Sequence, residues 1–247
     1  MSDLITVQGV VISAMPIGEY DKRIVLLTRE RGKISAFAKG ARRPNSPFLA
    51  AADPFVFGTF TLFEGRSSYN LNQVSVSHHF VELAAMQPGV YYGYYFLELA
   101  DYFGREGTDE RDLLYVTVKA LLNPKMDNRL IRCIFELRTM VEEGLCPELF
   151  QCAQCGREEI SEGQVFFSQD LHGILCQKCA SGQKGTLRIS PSALYAMRFI
   201  ATALMGKLYT FTVKDEVLLE LEHIIHRYTA VNTDKRFRSL QILEVMK

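Results

Sequence analysis

Over the first 79 residues the apolar positions fall in short runs. Leu4–Ile12 is apolar and β-branched, Ile24–Thr28 is continuously apolar, Lys33–Lys39 alternates, Phe55–Phe63 is aromatic-rich, and Tyr69–Ser77 alternates again. Turn sequences separate them: Pro16-Ile17-Gly18, Arg29-Glu30-Arg31-Gly32, Arg42-Arg43-Pro44-Asn45-Ser46-Pro47 and Glu64-Gly65-Arg66. Five strands this close together, with no long helix among them, predict a small β-barrel or sandwich. After His79 the period turns helical. Phe80–Met86 and Tyr91–Phe103 read as a helical pair broken at Pro88-Gly89. Thr108 or Asp109 can cap a helix through Leu122, and Asp127 one that carries Leu130, Ile134, Leu137 and Val141 on a single stripe and stops at Gly144. Ser190-Pro191 opens another helix running to Gly206, an amphipathic helix begins near Val213, and a short helix ends the chain. The expectation is an α+β chain of 247 residues, long enough for two modest units.

Four cysteines interrupt the helical half. Cys152-Ala-Gln-Cys155 and Cys176-Gln-Lys-Cys179 are two Cys-x-x-Cys pairs separated by residues 156–175, close to the spacing of a four-thiolate zinc site. A tight turn brings two sulfurs of one pair onto one ion, and a hairpin between the pairs folds the second back to complete a tetrahedron. Gly156 relaxes the backbone after the first pair. Four sulfur ligands leave no open position, so the expected Zn2+ is a single structural ion. The other reading is four buried thiols. His172 lies between the pairs and could substitute as a ligand, but at four positions before Cys176 it is expected at the hairpin tip. Cys133 and Cys146 read as packing residues. His223 and His226 share a helix face but have no third ligand in register.

Charge changes the picture of the barrel. The chain is neutral as a whole, with 28 basic and 28 acidic residues, but Lys22–Arg43 holds eight basic residues against Glu30, a net of +7, while residues 81–150 carry a net of −5. Such a split is the footprint of a polyanion-binding face. A period of two places Lys33, Ser35, Phe37 and Lys39 on one face of their strand and Ile34, Ala36 and Ala38 on the other. The first face can hold phosphates on its lysines and a base on Phe37, as OB barrels hold single strands. The candidate nucleic-acid contacts are therefore Lys22, Arg23, Arg31, Lys33, Phe37, Lys39, Arg42 and Arg43. The competing reading is a solvated face with Phe37 capping the barrel. The dense Tyr91-Tyr92-Gly93-Tyr94-Tyr95 run is expected to pack a core rather than stack bases, and Lys235-Arg236-Phe237-Arg238 fits either an acidic peptide or solvent.

Several activities lose their sequence basis. Gly32-Lys33 and Gly206-Lys207 lack the upstream glycine and the following Ser/Thr of a phosphate-binding loop. No His-x-Glu pair accompanies the cysteines as a zinc deaminase requires. Carboxylates are dispersed over helices, against a metal-dependent nuclease, so a binding protein is expected rather than an enzyme. No basic stretch followed by an apolar run opens the chain, and Glu98, Asp101 and Arg198 break its longest apolar stretches, so neither a secretory signal nor a membrane span is expected.

The order of barrel, helices, four-cysteine insert and helices resembles the RecO family of bacterial DNA repair and recombination mediators. The likeness rests on Gly18-Glu19-Tyr20-Asp21 running into Leu26-Leu27-Thr28, and on Gly32-Lys33 with Ala38-Lys39-Gly40-Ala41-Arg42-Arg43. It rests also on Phe135-Glu136-Leu137 through Gly144-Leu145-Cys146-Pro147-Glu148-Leu149 into Cys152-Ala-Gln-Cys155-Gly156. The resemblance implies an OB domain over 1–79 that binds single- and double-stranded DNA, a helical domain over 80–151 and 186–247, and a zinc finger over 152–185. It further implies annealing of complementary strands, binding of the acidic tail of SSB in the C-terminal helical region, work with RecR to load RecA in the RecF pathway, and a cytoplasmic, nucleoid-associated location. The alternative to this reading is a protein-interaction or RNA-binding module built from the same parts.

Overall fold

A computed structural model of the chain describes residues 3–66, 68–80, 83, 87–123, 126–160 and 164–246. The five predicted strands are β1 (Leu4–Ile17), β2 (Asp21–Thr28), β3 (Gly32–Ala38), β4 (Phe57–Glu64) and β5 (Tyr69–His78). They close into a barrel in the order β1-β2-β3-β5-β4, the five-stranded Greek-key arrangement of OB barrels. Antiparallel ladders make every junction but one, the short parallel contact of Ala36 and Phe37 with Tyr69 and Asn70. Inward positions Val7, Val11, Ile24, Leu26, Ile34, Ala36, Phe60 and Leu62 fill the interior, the alternation that a half-buried strand requires.

β1 runs well past its predicted end at Ile12. Between Val11 and Ser13 its register on β2 slips by one residue. The bulge reverses the faces: Val7 and Val11 point into the core while, beyond it, Ala14 packs there and Met15 stands exposed. β4 pairs with β1 only as far as Val10, so the arm formed by residues 13–17 and 21–25 has no strand on its β1 side.

The barrel wall carries helices α1 (Gly89–Phe103) and α2 (Arg111–Leu121), both packed against β1. They cover outward Val10 and Leu27, which are fully buried. The turn into β3 is sewn to the chain beyond α1: Lys33 N donates to Arg105 O (2.8 Å) and Gly107 N to Arg31 O (3.1 Å). Gly32 permits this approach, with φ +64° and a would-be Cβ only 2.0 Å from Arg105 O. A C-terminal helix over Arg238–Val245 packs on α1, with Phe237 just before it against the rings of Tyr95 and Tyr102. In the aromatic run, Tyr92 and Tyr95 are buried as expected. The expected helix over Phe80–Met86 lies largely outside the described residues.

The second compact unit holds α3 (Asn128–Glu142), the hairpin β6 (Val165–Ser168) and β7 (Gly173–Cys176), the single turn α4 (Gln177–Ala180), β8 (Leu187–Arg188), α5 (Pro191–Thr202) and α6 (Asp215–Asn232). α7 is Arg238–Val245. Contacts group residues 1–124 with 237–247, and 125–236 by themselves. The helices after the barrel are thus divided between two units, because α1 and α2 bury their apolar faces on strands and α3 buries its own on α5 and α6. Caps follow the sequence: Asp127 Oδ1 accepts from Arg129 N (2.8 Å), Ser190 Oγ accepts from Ala193 N (3.1 Å), and Gly144 ends α3 at φ +73°. The α2 cap differs, since Thr108 Oγ1 turns to Glu110 Oε1 (2.7 Å) while Asp109 accepts from Arg111 N (3.1 Å). Among the described residues no helix is long and apolar enough to cross a membrane.

An ionic network joins α3 to α6. Glu136 is fully buried and accepts from Arg132 Nε (2.7 Å) and His226 Nδ1 (2.6 Å). Arg129 meets Glu222 with one guanidinium edge, Nε donating to Oε1 at 3.0 Å and Nη2 to Oε2. Burial opposes charge on His226, but the adjacent Glu136 carboxylate, reinforced by Glu222, raises its pKa. Burial likewise opposes ionisation of Glu222, and the bonds from His226 and Arg129 overcome it and hold its pKa at about 2. His226 is therefore explained by helix pairing, not metal.

A histidine whose folded pKa is raised stabilises the fold fully below its unfolded pKa, and that contribution fades as pH climbs through the folded value. His226→Ala is expected to lower the urea midpoint more at about pH 6 than at about pH 9. Equal losses at both would mean that the charged imidazole contributes nothing.

Candidate functional site

Two places on the chain concentrate chemistry. The first is one end of the barrel wall. Cross-strand register sets Met15 opposite Arg23, and Arg23 opposite Phe37, which in turn lies beside Asn70. These neighbours share the outward face, at the spacing of directly opposed pairs. Arg23 Nε donates to Ser35 Oγ (2.7 Å), which lays the guanidinium along the sheet. The loop after β3 is clipped to the β1–β2 turn: Gly40 N donates to Asp21 Oδ1 (2.7 Å), Arg42 N to Tyr20 O (2.8 Å) and Arg42 Nη1 to Gly18 O (3.3 Å). Arg43 rests over the Tyr20 ring, 5.3 Å from its centroid. Gly18 and Gly40, with φ of +56° and +67°, supply the left-handed corners that bring turn and loop together. Arg23, Lys39, Arg42, Arg43 and the half-buried Phe37 thereby come to one end of the barrel.

Three other candidate cations are committed elsewhere. Lys22 faces the barrel mouth, where Nζ meets Asp53 Oδ1 at 2.6 Å and Leu49 O at 3.1 Å. Lys33 shares the outward face of Phe37, but its Nζ reaches Asp101 of α1, at 2.5 Å to the backbone O and 3.4 Å to the carboxylate. Arg31 pairs at 3.5 Å with Glu64 on the opposite turn.

The second place is the cysteine cluster. β6 and β7 form the hairpin between the two pairs, with Cys176 at the end of β7 and Cys179 on the helical turn that follows. On the other side Ala153 N donates to Ile174 O (2.8 Å), and Gly156, at φ +69°, closes the Cys152–Cys155 turn. The lead-in docks beside the hairpin, with Glu148 N donating to His172 O and Ile174 N to Glu148 O, both at 2.8 Å. Gly173 allows it, since a Cβ there would stand 2.7 Å from Glu148 O.

All four Sγ atoms lie within 4.8 Å of one another, and Cys155 and Cys176 are 3.9 Å apart. Four sulfurs about 2.3 Å from one ion would be about 3.8 Å apart, so the set fits a single soft metal ion. Burial pushes the Cys152 thiol up, but N–H groups of Cys176, Cys155 and Gln154 outweigh it and bring the pKa to about 6. Burial and its three sulfur neighbours push Cys179 up to about 12. Without a cation the four cannot all ionise together, and a bound metal removes that conflict. His172 sits at the hairpin tip at φ +49°, edge-on to Tyr228 at 5.8 Å.

The chain matches the family described as "Recombination protein O N terminal" over residues 1–80 and "Recombination protein O C terminal" over residues 89–241. It belongs to the RecO family. It is similar to the "DNA repair protein RecO" of Symbiobacterium thermophilum, with 32% identity over 99% of this chain and 98% of the relative. It also resembles those of Alkaliphilus metalliredigens (31%, covering 97% and 98%) and Acetivibrio thermocellus (30%, covering 96% and 95%). RecO membership supports a role in DNA repair and recombination.

Within this RecO chain, Tyr20 also belongs beside the candidate cations, under Arg43 and bonded through its carbonyl to Arg42 N. Its signal was the Gly18 corner, which places it on an exposed turn rather than in a strand. Conversely, the Gly32-Lys33 pair of the RecO-like stretch anchors the hairpin to α1.

Titration with Co2+ is expected to give one ion per chain with thiolate-to-metal charge-transfer absorption. Cys176→Ser should abolish that band and open residues 150–185 to protease. Retention of the band in the variant would remove the four-sulfur site.

Proposed function

We propose that this RecO-family chain binds single- and double-stranded DNA at the end of its barrel where the β1–β2 turn meets the loop after β3, anneals complementary SSB-coated strands, and with RecR helps load RecA. The observation that supports this reading is the gathering of Arg23, Phe37, Lys39, Arg42 and Arg43 on one end of a closed OB barrel. The contact set narrows to these, since Lys22, Arg31 and Lys33 have acidic partners of their own. Four cations take phosphates of a strand while Phe37 offers its ring to a base. Neutralised phosphates repel a second strand less, so pairing needs no catalytic residue.

In this reading the ion held by Cys152, Cys155, Cys176 and Cys179 is a structural zinc. Its donor set is complete without water, so it contributes folding of the hairpin and no Lewis-acid step. The acidic SSB tail binds in the C-terminal helical region.

Annealing of SSB-coated complementary oligonucleotides should fall by an order of magnitude or more in a Lys39/Arg42/Arg43 triple alanine variant. For the wild type, single-strand affinity should fall with log salt at a slope of about −3, the value for four phosphate contacts. Unchanged annealing and a flat salt response would remove the proposal. Phe37→Ala should weaken single-strand binding by about 1–3 kcal/mol. An unaltered affinity in a folded variant would return that ring to the barrel wall. A matched RNA oligonucleotide bound in preference to DNA would favour an RNA-binding module instead.

A further inference from the structure

The bulge in β1 has put apolar side chains where packing has no use for them. Without the register slip after Val11, residues 15 and 17 would share the inward face of Val7 and Val11. With it, Met15 is 53% and Ile17 38% exposed, and Pro16 between them is exposed as well. They sit on the arm of β1 that has lost β4 as a neighbour, paired only with β2. Met15 lies directly opposite Arg23, and Ile17 opposite Asp21. At the tip Tyr20 is 42% exposed beneath Arg43. Scattered apolar residues on a surface need no explanation. Here a Met-Pro-Ile run stands on a two-stranded ribbon flanked by Arg23, Lys39, Arg42 and Arg43.

Charge decides the occupant. The acids of this turn are Glu19, exposed at its tip, and Asp21, whose Oδ1 is occupied by Gly40 N. The basic residues around the ribbon therefore favour a polyanion over an apolar protein face. Aliphatic side chains lack the flat ring that stacks on a base, but Met, Ile and Pro are the residue types that enter between base steps and separate them.

We propose that Met15 and Ile17 form a wedge that unstacks bases where single-stranded DNA meets duplex, on strands that the neighbouring cations hold. The inference rests on the DNA-binding reading above and adds to it a preferred substrate, the junction. Such a step is the cheapest to open, since its outer base pair is already stacked on one side only. The wedge would thus act where a strand is entering or leaving a duplex, the moving end of an annealing reaction.

The test uses the full chain and a partial duplex carrying 2-aminopurine either at the junction or deep in the paired segment, at protein concentrations that saturate binding. Wild-type protein should raise the junction fluorescence several-fold and leave the interior probe unchanged. Met15→Ser/Ile17→Ser should lose the rise, and Met15→Leu/Ile17→Leu should keep it. Both pairs are exposed, and a thermal melt confirms the fold of each variant. Equal signals from wild type and the serine pair, or an equal rise at the interior probe, overturn the wedge while DNA binding stands. Failure of the wild type to bind either DNA overturns the binding reading and the wedge with it. A serine pair that changes the sedimentation coefficient of the free protein, yet leaves the junction signal intact, assigns the patch to self-association and also overturns the wedge.

Discussion

Gly32 has no side chain, and the backbone of Arg105 comes to within 2.0 Å of where its Cβ would stand. From this close approach follows the placement of the whole β2–β3 hairpin. One end is sewn by backbone hydrogen bonds to the segment after α1, which draws Lys33 onto Asp101 and buries Leu27. The other end, clipped to the β1–β2 turn, leaves Arg23 and Lys39 exposed and Phe37 half-buried. A stretch that carries a net charge of +7 in the sequence is thus divided by docking into a structural half and an open half.

The same division between internal pairing and exposure recurs in the second unit. Glu136, Arg132, His226, Glu222 and Arg129 pair with one another between α3 and α6, with His226 Nε2 held 3.8 Å from Glu222 Oε1. A buried charge with its partners in place is tolerated, and one left alone is not. The network therefore fixes how those helices pair more than it adds to stability. In the cysteine cluster the internal partners run out: four sulfurs within 4.8 Å of each other answer one another poorly, and a cation answers them all. That contrast separates a self-sufficient polar cluster from one shaped for a ligand.

The free cations and the apolar arm are adjacent because one bulge and one clip operate on the same turn. The bulge turns Met15 outward beside Arg23, and the Asp21–Gly40 clip sets Arg42 and Arg43 against Tyr20. Neither device alters composition or net charge. Each acts only through register and loop direction.

The sequence by itself determined the five strands of the barrel, the main helix starts at Asp127 and Ser190, the core-facing residues of β3 and the four-sulfur spacing. Each depends on local periodicity, a cap, or a pair of residues two apart, so a short window contains the physics. It did not determine that Lys22, Arg31 and Lys33 have acidic partners, since these lie 31, 33 and 68 residues away in Asp53, Glu64 and Asp101. Nor did it show that β1 continues to Ile17 past a register slip, or that α1 and α2 pack on the barrel while α3 packs on α5 and α6. Those outcomes depend on which surfaces meet, and an apolar stripe on a helix specifies that it will be buried without specifying against what.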